Sequence, residues 1–182
     1  MRALAAVLVV LALVGCSKND GRSSTTTSAP PASAAKLTVT STAFTEAGSI
    51  PRIHTCDGAN QSPPLAWSGV PATTAELVLT VEDPDAPNGT FAHWLLYGLP
   101  PTVTSLAPGT DGGGKSGENS TGKRGYTGPC PPRGSQHRYI FTLSALQRPS
   151  GLPDGATAAQ VRSAASSDAV IGQGKLTGIY GR

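Results

Sequence analysis

Charge is scarce in this 182-residue chain: Asp, Glu, Lys and Arg together supply 14% of it, against roughly a quarter in an ordinary globular domain. Aromatic residues are scarcer still, at 5%. With no basic stripe and no aromatic platform, the chain lacks the electrostatic footprint and the stacking surface of a nucleic-acid binder. The sequence pI of 8.9 does not alter that reading. Of the 14 Lys and Arg, three (Arg2, Lys18, Arg22) precede residue 36, and of the 11 acidic residues only Asp20 does, which leaves 11 against 10 over residues 36–182. Long apolar runs are missing after the first few residues. The run that exists, Ala3 to Val14, is shorter than the roughly 20 apolar residues a helix needs to cross a bilayer. Cysteine is nearly missing as well, with three in all: Cys16, Cys56 and Cys130.

What is present at the start is a short basic Met1-Arg2, the apolar run and then Gly15-Cys16-Ser17. That order is the mark of a secretory signal, and Leu13-Val14-Gly15-Cys16 resembles a bacterial lipobox. By that resemblance residues 1–15 are a lipoprotein signal peptide and Cys16 is the acylated new N-terminus. The expected location is the extracytoplasmic face of the cell membrane, held by acyl chains whose buried methylenes contribute about 0.8 kcal/mol each. Residues 17–35, "SKNDGRSSTTTSAPPASAA", hold no aliphatic side chain larger than alanine. Such a segment cannot bury enough apolar surface to offset its ordering entropy, so 16–35 is expected to be a disordered tether. The remaining 36–182 is the right length for one domain with a real core. With Cys16 set aside, Cys56 and Cys130 form an even pair in an oxidising compartment, which reads as a disulfide; two separate buried thiols are the alternative.

The domain reads as mainly β. Residues 36–46 alternate apolar and polar, 75–83 are β-branched and aliphatic up to Pro84, and 91–100 and 137–146 follow as strands. Residues 156–170 have helical composition. The Pro/Gly-rich stretch 105–136 is a long loop, and loops of that length in a compact domain are more often functional than idle. An antiparallel β-sandwich with one short helix near the C-terminus follows. Gly109 to Ser116, "GTDGGGKS", satisfies the phosphate-loop pattern but has no apolar strand before it and no helical periodicity after it, so it is expected to be a flexible loop rather than a nucleotide site.

Four titratable residues form a better constellation. "VEDPDAP" sets Asp83 and Asp85 two apart at a strand end, and residues two apart in extended chain share a face. His93 falls on the Phe91/Leu95/Tyr97 side of its strand, and His137 on the Tyr139/Phe141 side of another. Taken singly, each histidine is more often a satisfied structural residue than a functional one, and spacing alone does not show that the two converge.

"DPDAP", the following "HW" and "GPCPPRGSQHRY" resemble the signature segments of the phosphatidylethanolamine-binding protein family, and "IPRIHTCDGANQSPPLAWSGVP" and "IGQGKLTGIYGR" resemble its bacterial Raf-kinase-inhibitor-like branch. The resemblance covers about residues 36–182. It implies a sandwich of two antiparallel sheets with Greek-key connections, and a small pocket at one end for anions such as phosphate, acetate or a phospholipid headgroup. Carried over by position, Asp83, Asp85, His93 and His137 line that pocket, and Pro87, Pro132 and Tyr139 are further wall residues. It also places "TCDG" and "GPCPP" as two loops at the pocket mouth that a Cys56–Cys130 bridge would staple. Cys130 stands where eukaryotic members have glycine, which bears on pocket shape. No cofactor and no resident metal are expected; a metal held by Asp83, Asp85, His93 and His137 is the weaker alternative. A binding protein is the leading function. The competing ones are an inhibitor of a secreted serine protease, acting through the surface around the pocket, and a hydrolase with His93 or His137 as general base. The last has no G-x-S-x-G elbow to support it. A homodimer is expected by analogy with bacterial members.

Overall fold

The computed structural model describes residues 34–182. The leader, Cys16 and nearly all of the tether lie outside the described residues. The elements are β1 (Ala35–Lys36), β2 (Thr38–Thr40), β3 (Gly48–Ser49), a 3₁₀ turn (Arg52–His54), β4 (Leu65–Ser68), β5 (Glu76–Asp83), β6 (Phe91–Leu99), β7 (Ser105–Leu106), β8 (Lys115–Ser116), β9 (Gln136–Leu146), α1 (Ala158–Ala165) and β10 (Val170–Gly181). They form two sheets. The larger runs β1-β10-β9-β5-β6-β8 with β3 also on β10, and the smaller runs β2-β4-β7. The larger sheet is antiparallel through its centre, while β1 and β3 pair with β10 in parallel.

The central strand β5, "ELVLTVED", holds the unbroken apolar stretch Leu77–Leu79 instead of alternating because both of its faces are covered. One face, with Leu77, Leu79 and Val81, meets Val39, Leu65, Trp67 and Leu106 of the small sheet. The other, with Val78, packs with Leu95, Tyr97 and Leu146 under Val161 of α1 and Ala169. At 0–1% exposure these β5 side chains leave no room for a polar substitution.

Three expectations needed correction. Residues 36–46 are not one strand: the chain changes sheets at Leu37, whose N–H is taken by Gln173 O at 2.9 Å, so that β1 belongs to the large sheet and β2 to the small one. The helix stops at Ala165 rather than running to 170, because Ser166 and Ser167 turn their hydroxyls back onto the carbonyls of Arg162 and Ala164, a local competitor to helical pairing. Its start is secured by a capping box between Thr157 and Gln160. The glycine-rich 109–116 segment is not a free loop throughout. Lys115 and Ser116 pair with Tyr97 and Leu96 at the sheet edge, and Gly114 sits where a Cβ would come within 3.0 Å of Leu96.

Strand β10 escaped the sequence reading because its four glycines lower β-propensity. They are there for close approach. A Cβ on Gly174 would stand 2.4 Å from Leu37 O, and one on Gly178 2.5 Å from Ile50 Cγ1. Bare backbone at these points lets the N-terminal segments lie directly on β10.

Candidate functional site

The turn between β5 and β6 and the start of β9 meet at one end of the larger sheet, where a cavity of about 320 Å³ opens. Asp83, Pro87, His93, Pro132 and His137 line it, joined by Ala86, Phe91, Thr121, Thr127, Gly128, Cys130 and Pro131. The two histidines, 44 positions apart in sequence, therefore share one chamber, and most of its wall is apolar.

Each imidazole is held by its Nδ1. His137 Nδ1–H donates to Asp83 Oδ2 at 2.7 Å, with Asp83 3% and His137 7% exposed. Asp83 Oδ1 accepts the Asp85 N–H at 2.8 Å, so both carboxylate oxygens are committed inside the wall. His93 Nδ1–H donates to Thr127 O at 2.6 Å. Because a carboxylate and a carbonyl can only accept, both rings carry their proton on Nδ1, which makes Nε2 the nitrogen able to gain or lose a proton. Burial pushes His93 below the ordinary histidine range, partly offset by the Thr127 carbonyl and the Asp83 charge.

His93 is aimed by a bulge. Val81 pairs with Trp94 and Glu82 with Ala92, which leaves His93 as the extra residue of β6. The bulge breaks the alternation expected from sequence. Leu95 and Tyr97 go to the cluster under the helix, whereas the His93 ring stands edge-on to Tyr139, centroids 5.1 Å apart, and 4.7 Å from Phe91. Bulges re-aim side chains in this way beside functional sites. The free backbone groups at the bulge are taken by the long loop: Ser120 N–H donates to Ala92 O, Thr127 N–H to His93 O, and Ala92 N–H to Ser120 Oγ.

That loop has its own organiser, Asn119, which the sequence reading passed over. It is 4% exposed. Its Oδ1 accepts from Thr121 N, Thr121 Oγ1 and Lys123 N, and its Nδ2 donates to Gly125 O and Thr127 Oγ1. Thr127 is thus held in place to receive His93. No periodicity marks such a residue; a lone Asn in a Gly/Ser/Thr-rich loop is the sole signal.

Two expected wall residues stand elsewhere. Asp85 faces an adjoining groove with Ser135, Gln136, Arg138 and His137, the last of which borders the cavity as well. Its two oxygens take the Arg138 guanidinium at 2.6 and 2.9 Å and the Arg138 N–H at 2.9 Å. These bonds hold its carboxyl down to about 2. Tyr139 lies behind His93, fully buried, and its hydroxyl has no hydrogen-bond partner among the described residues; burial pushes that hydroxyl above the ordinary tyrosine range.

Cys56 and Cys130 are bridged, with Cα atoms 5.4 Å apart. Both cysteines are exposed, so neither is the separate buried thiol of the alternative reading. The bridge ties the cavity segment 126–132 to the 54–60 loop, alongside Tyr126 OH to His54 O (2.7 Å), Gly128 N to Asn60 Oδ1 (2.7 Å) and Cys56 N to Pro129 O (3.1 Å). The third histidine, His54, spends Nδ1 on Gln61 O within that loop. Among the described residues no group of three or more His, Cys, Asp or Glu side chains is arranged to hold a metal, and no helix is long and apolar enough to cross a membrane.

Comparison with known proteins agrees with this architecture. A family model described as phosphatidylethanolamine-binding protein matches residues 40–181. A Mycobacterium tuberculosis protein named "Putative lipoprotein LppC" is 42% identical over 98% of this chain and 94% of its own length. A protein of the group named UPF0098 from Methanothermobacter thermautotrophicus is 42% identical over 77% of this chain and 95% of its own. The crystal structure of Escherichia coli YbcL, titled a new member of the mammalian PEBP family, superposes with a TM-score of 0.75 at 33% identity, covering 81% of this chain and 99% of that one.

Proposed function

This chain belongs to the phosphatidylethanolamine-binding protein family, and on that premise we propose that its cavity binds a small phosphate- or carboxylate-type anion, free or as a headgroup. The observation that carries this is the pair of imidazoles lining one cavity, each with Nδ1 engaged by the protein and neither Nε2 in a hydrogen bond among the described residues. A phosphate monoester suits such a pair because it can bring its own proton. Its hydroxyl donates to a neutral Nε2, and its anionic oxygen accepts from a protonated one. The Asp83 carboxylate beside His137 sets the limit on charge, so a singly charged, protonated anion is preferred to a doubly charged one. The apolar remainder of the wall, Phe91 with Pro87, Pro131 and Pro132, takes a short uncharged portion of the ligand.

The same premise extends to location. Cys16 in its lipobox-like setting, together with a relative named as a lipoprotein over nearly the whole length, supports an acylated protein on the outer face of the cell membrane. Mass spectrometry of the cell-extracted N-terminal peptide tests this: a diacylglyceryl Cys16 is the expected species.

For the cavity, the test is an NMR titration with phosphate and with phosphoethanolamine that follows the ring protons of His93 and His137. Both rings should shift together along one saturating curve, more strongly at pH 6 than at pH 8, and His137→Gln should abolish the effect. Rings that stay still at millimolar ligand, or that move with different constants, would overturn the reading.

A further inference from the structure

The disulfide has a setting that a merely structural staple does not need. Both cysteines are exposed, Cys130 forms part of the cavity wall, and the Arg182 guanidinium donates Nη1–H to Cys130 Sγ at 3.3 Å. Arg182 is held there from three sides. Its N–H donates to Ser135 O, its carbonyl accepts from Gly134 N, and its Nε lies 3.1 Å from the Asp57 carboxylate, which also accepts the Tyr180 hydroxyl at 2.6 Å. The arginine side chain is 21% exposed, so water screens its charge incompletely.

We propose that Cys56–Cys130 is a thiol-exchange site in which Cys130 is the leaving sulfur, and that its redox state controls the wall that holds His93. The attacking reagent is a small thiol or the reduced dithiol of an oxidoreductase. Its thiolate bonds to Cys56 Sγ, the Cys56–Cys130 bond breaks, and the electron pair leaves on Cys130 as a thiolate. Arg182 is the cation beside that new charge. A second thiol of the reagent then attacks the mixed disulfide, releasing Cys56 as a thiolate and the reagent as its own disulfide. Two electrons pass from the reagent to the protein. A cation at the leaving sulfur speeds exchange, since a thiol that ionises more readily departs faster. Among the described residues no side chain hydrogen-bonds Cys56 Sγ: the nearby Arg52 guanidinium donates to Asp57 O at 3.4 Å, and the Asp57 carboxylate is turned to Arg182 and Tyr180.

The link to the cavity is covalent. Cys130 closes the segment whose Thr127 carbonyl receives the His93 proton and whose Gly128, Pro131 and Pro132 line the chamber. With the bridge open, that segment keeps to the 54–60 loop only non-covalent ties, the three hydrogen bonds and the packing of Gly128 on His54 and Thr55 among them. The chamber then admits water more freely, and the burial that depresses His93 is relieved. The exchange does not rest on the anion reading: a failure of phosphate to bind leaves it standing, and a failure of exchange leaves anion binding standing.

The test uses the full chain with reduced glutathione in excess, an acid quench, alkylation of free thiols and peptide mass spectrometry. The expected first product carries glutathione on Cys56 and the alkyl group on Cys130. Arg182→Gln should slow its formation roughly threefold or more, the size set by a one-unit change in leaving-thiol acidity, and Arg182→Lys should restore most of the rate. The His93 ring should titrate at higher pH in the reduced protein than in the oxidised one. Glutathione found on Cys130, a rate indifferent to Arg182→Gln, or a His93 titration identical in the two states would overturn the proposal.

Discussion

Asp83 and Asp85 look alike in "DPDAP", yet replacing each by asparagine should have different consequences. Asp83 accepts two hydrogen bonds from opposite sides, the Asp85 N–H on Oδ1 and the His137 Nδ1–H on Oδ2. Asparagine offers one acceptor and one NH₂. The backbone N–H cannot change character, so the amide oxygen must turn to it, and the NH₂ then faces His137 Nδ1. That nitrogen must become the acceptor, which drives the ring proton to Nε2. Losing a buried hydrogen bond to a charged group costs about 1.5–3 kcal/mol, and the rearranged tautomer recovers part of it. A net loss of about 2 kcal/mol lowers Tm by roughly 4–8 °C in a domain of this size. Asp85, by contrast, is 29% exposed opposite an Arg138 that is 57% exposed. Water screens that pair, so Asp85→Asn should fall within about 1 kcal/mol of the parent. Calorimetry gives the stabilities, and long-range ¹⁵N–¹H correlation spectra of the His137 ring give the tautomer. Equal Tm losses for the two variants, or a His137 that keeps its proton on Nδ1 in Asp83→Asn, would refute the reasoning.

The remaining predictions concern the supports of the same cavity. Because His93 is pushed below the ordinary histidine range, the unfolded chain binds its proton first as pH falls. Its contribution to stability is therefore undiminished above about pH 6.5 and declines below that until the folded ring also titrates; the drop in urea midpoint between pH 7.5 and 5 should be smaller in His93→Asn than in the parent. Asn119→Ala should destabilise by about 2–3 kcal/mol, since it strips a buried hub of five hydrogen bonds, and amide exchange over residues 119–127 should accelerate even under conditions where the rest stays protected. Replacing Cys56 and Cys130 together by serine opens a loop spanning a sequence separation of 74, for which chain entropy predicts a loss of about 4 kcal/mol; an unchanged denaturation midpoint would show that the bridge does not constrain the unfolded chain.

Local pattern in the sequence was enough for the strands that matter most. β5, β6 and β9 are runs of aliphatic and aromatic residues bounded by Pro and Gly, and their apolar content alone requires that they be interior. Five of the cavity residues, Asp83, Pro87, His93, Pro132 and His137, were legible too, because Asp, His and Pro at strand ends in those segments carry the likeness to the phosphatidylethanolamine-binding proteins. The even pair of interior cysteines pointed to a bridge. Convergence was beyond the sequence. His93 meets His137 because an extra residue in β6 turns its ring off the face that alternation assigns it, and a bulge arises from how two strands and a loop pair, not from either strand alone. Asp83 and Asp85 part company for a similar reason: Pro84 and the turn after β5 leave one carboxylate under His137 and the other beside Arg138, whose side chain comes from β9. Glycine-rich β10 joined the sheet where intrinsic propensity argues against a strand, since close contact with Leu37 and Ile50 is worth more there than side-chain packing. What a residue is was written locally; which neighbours it meets was decided by contacts across tens of residues, and the proton positions and burial at the cavity follow from those contacts.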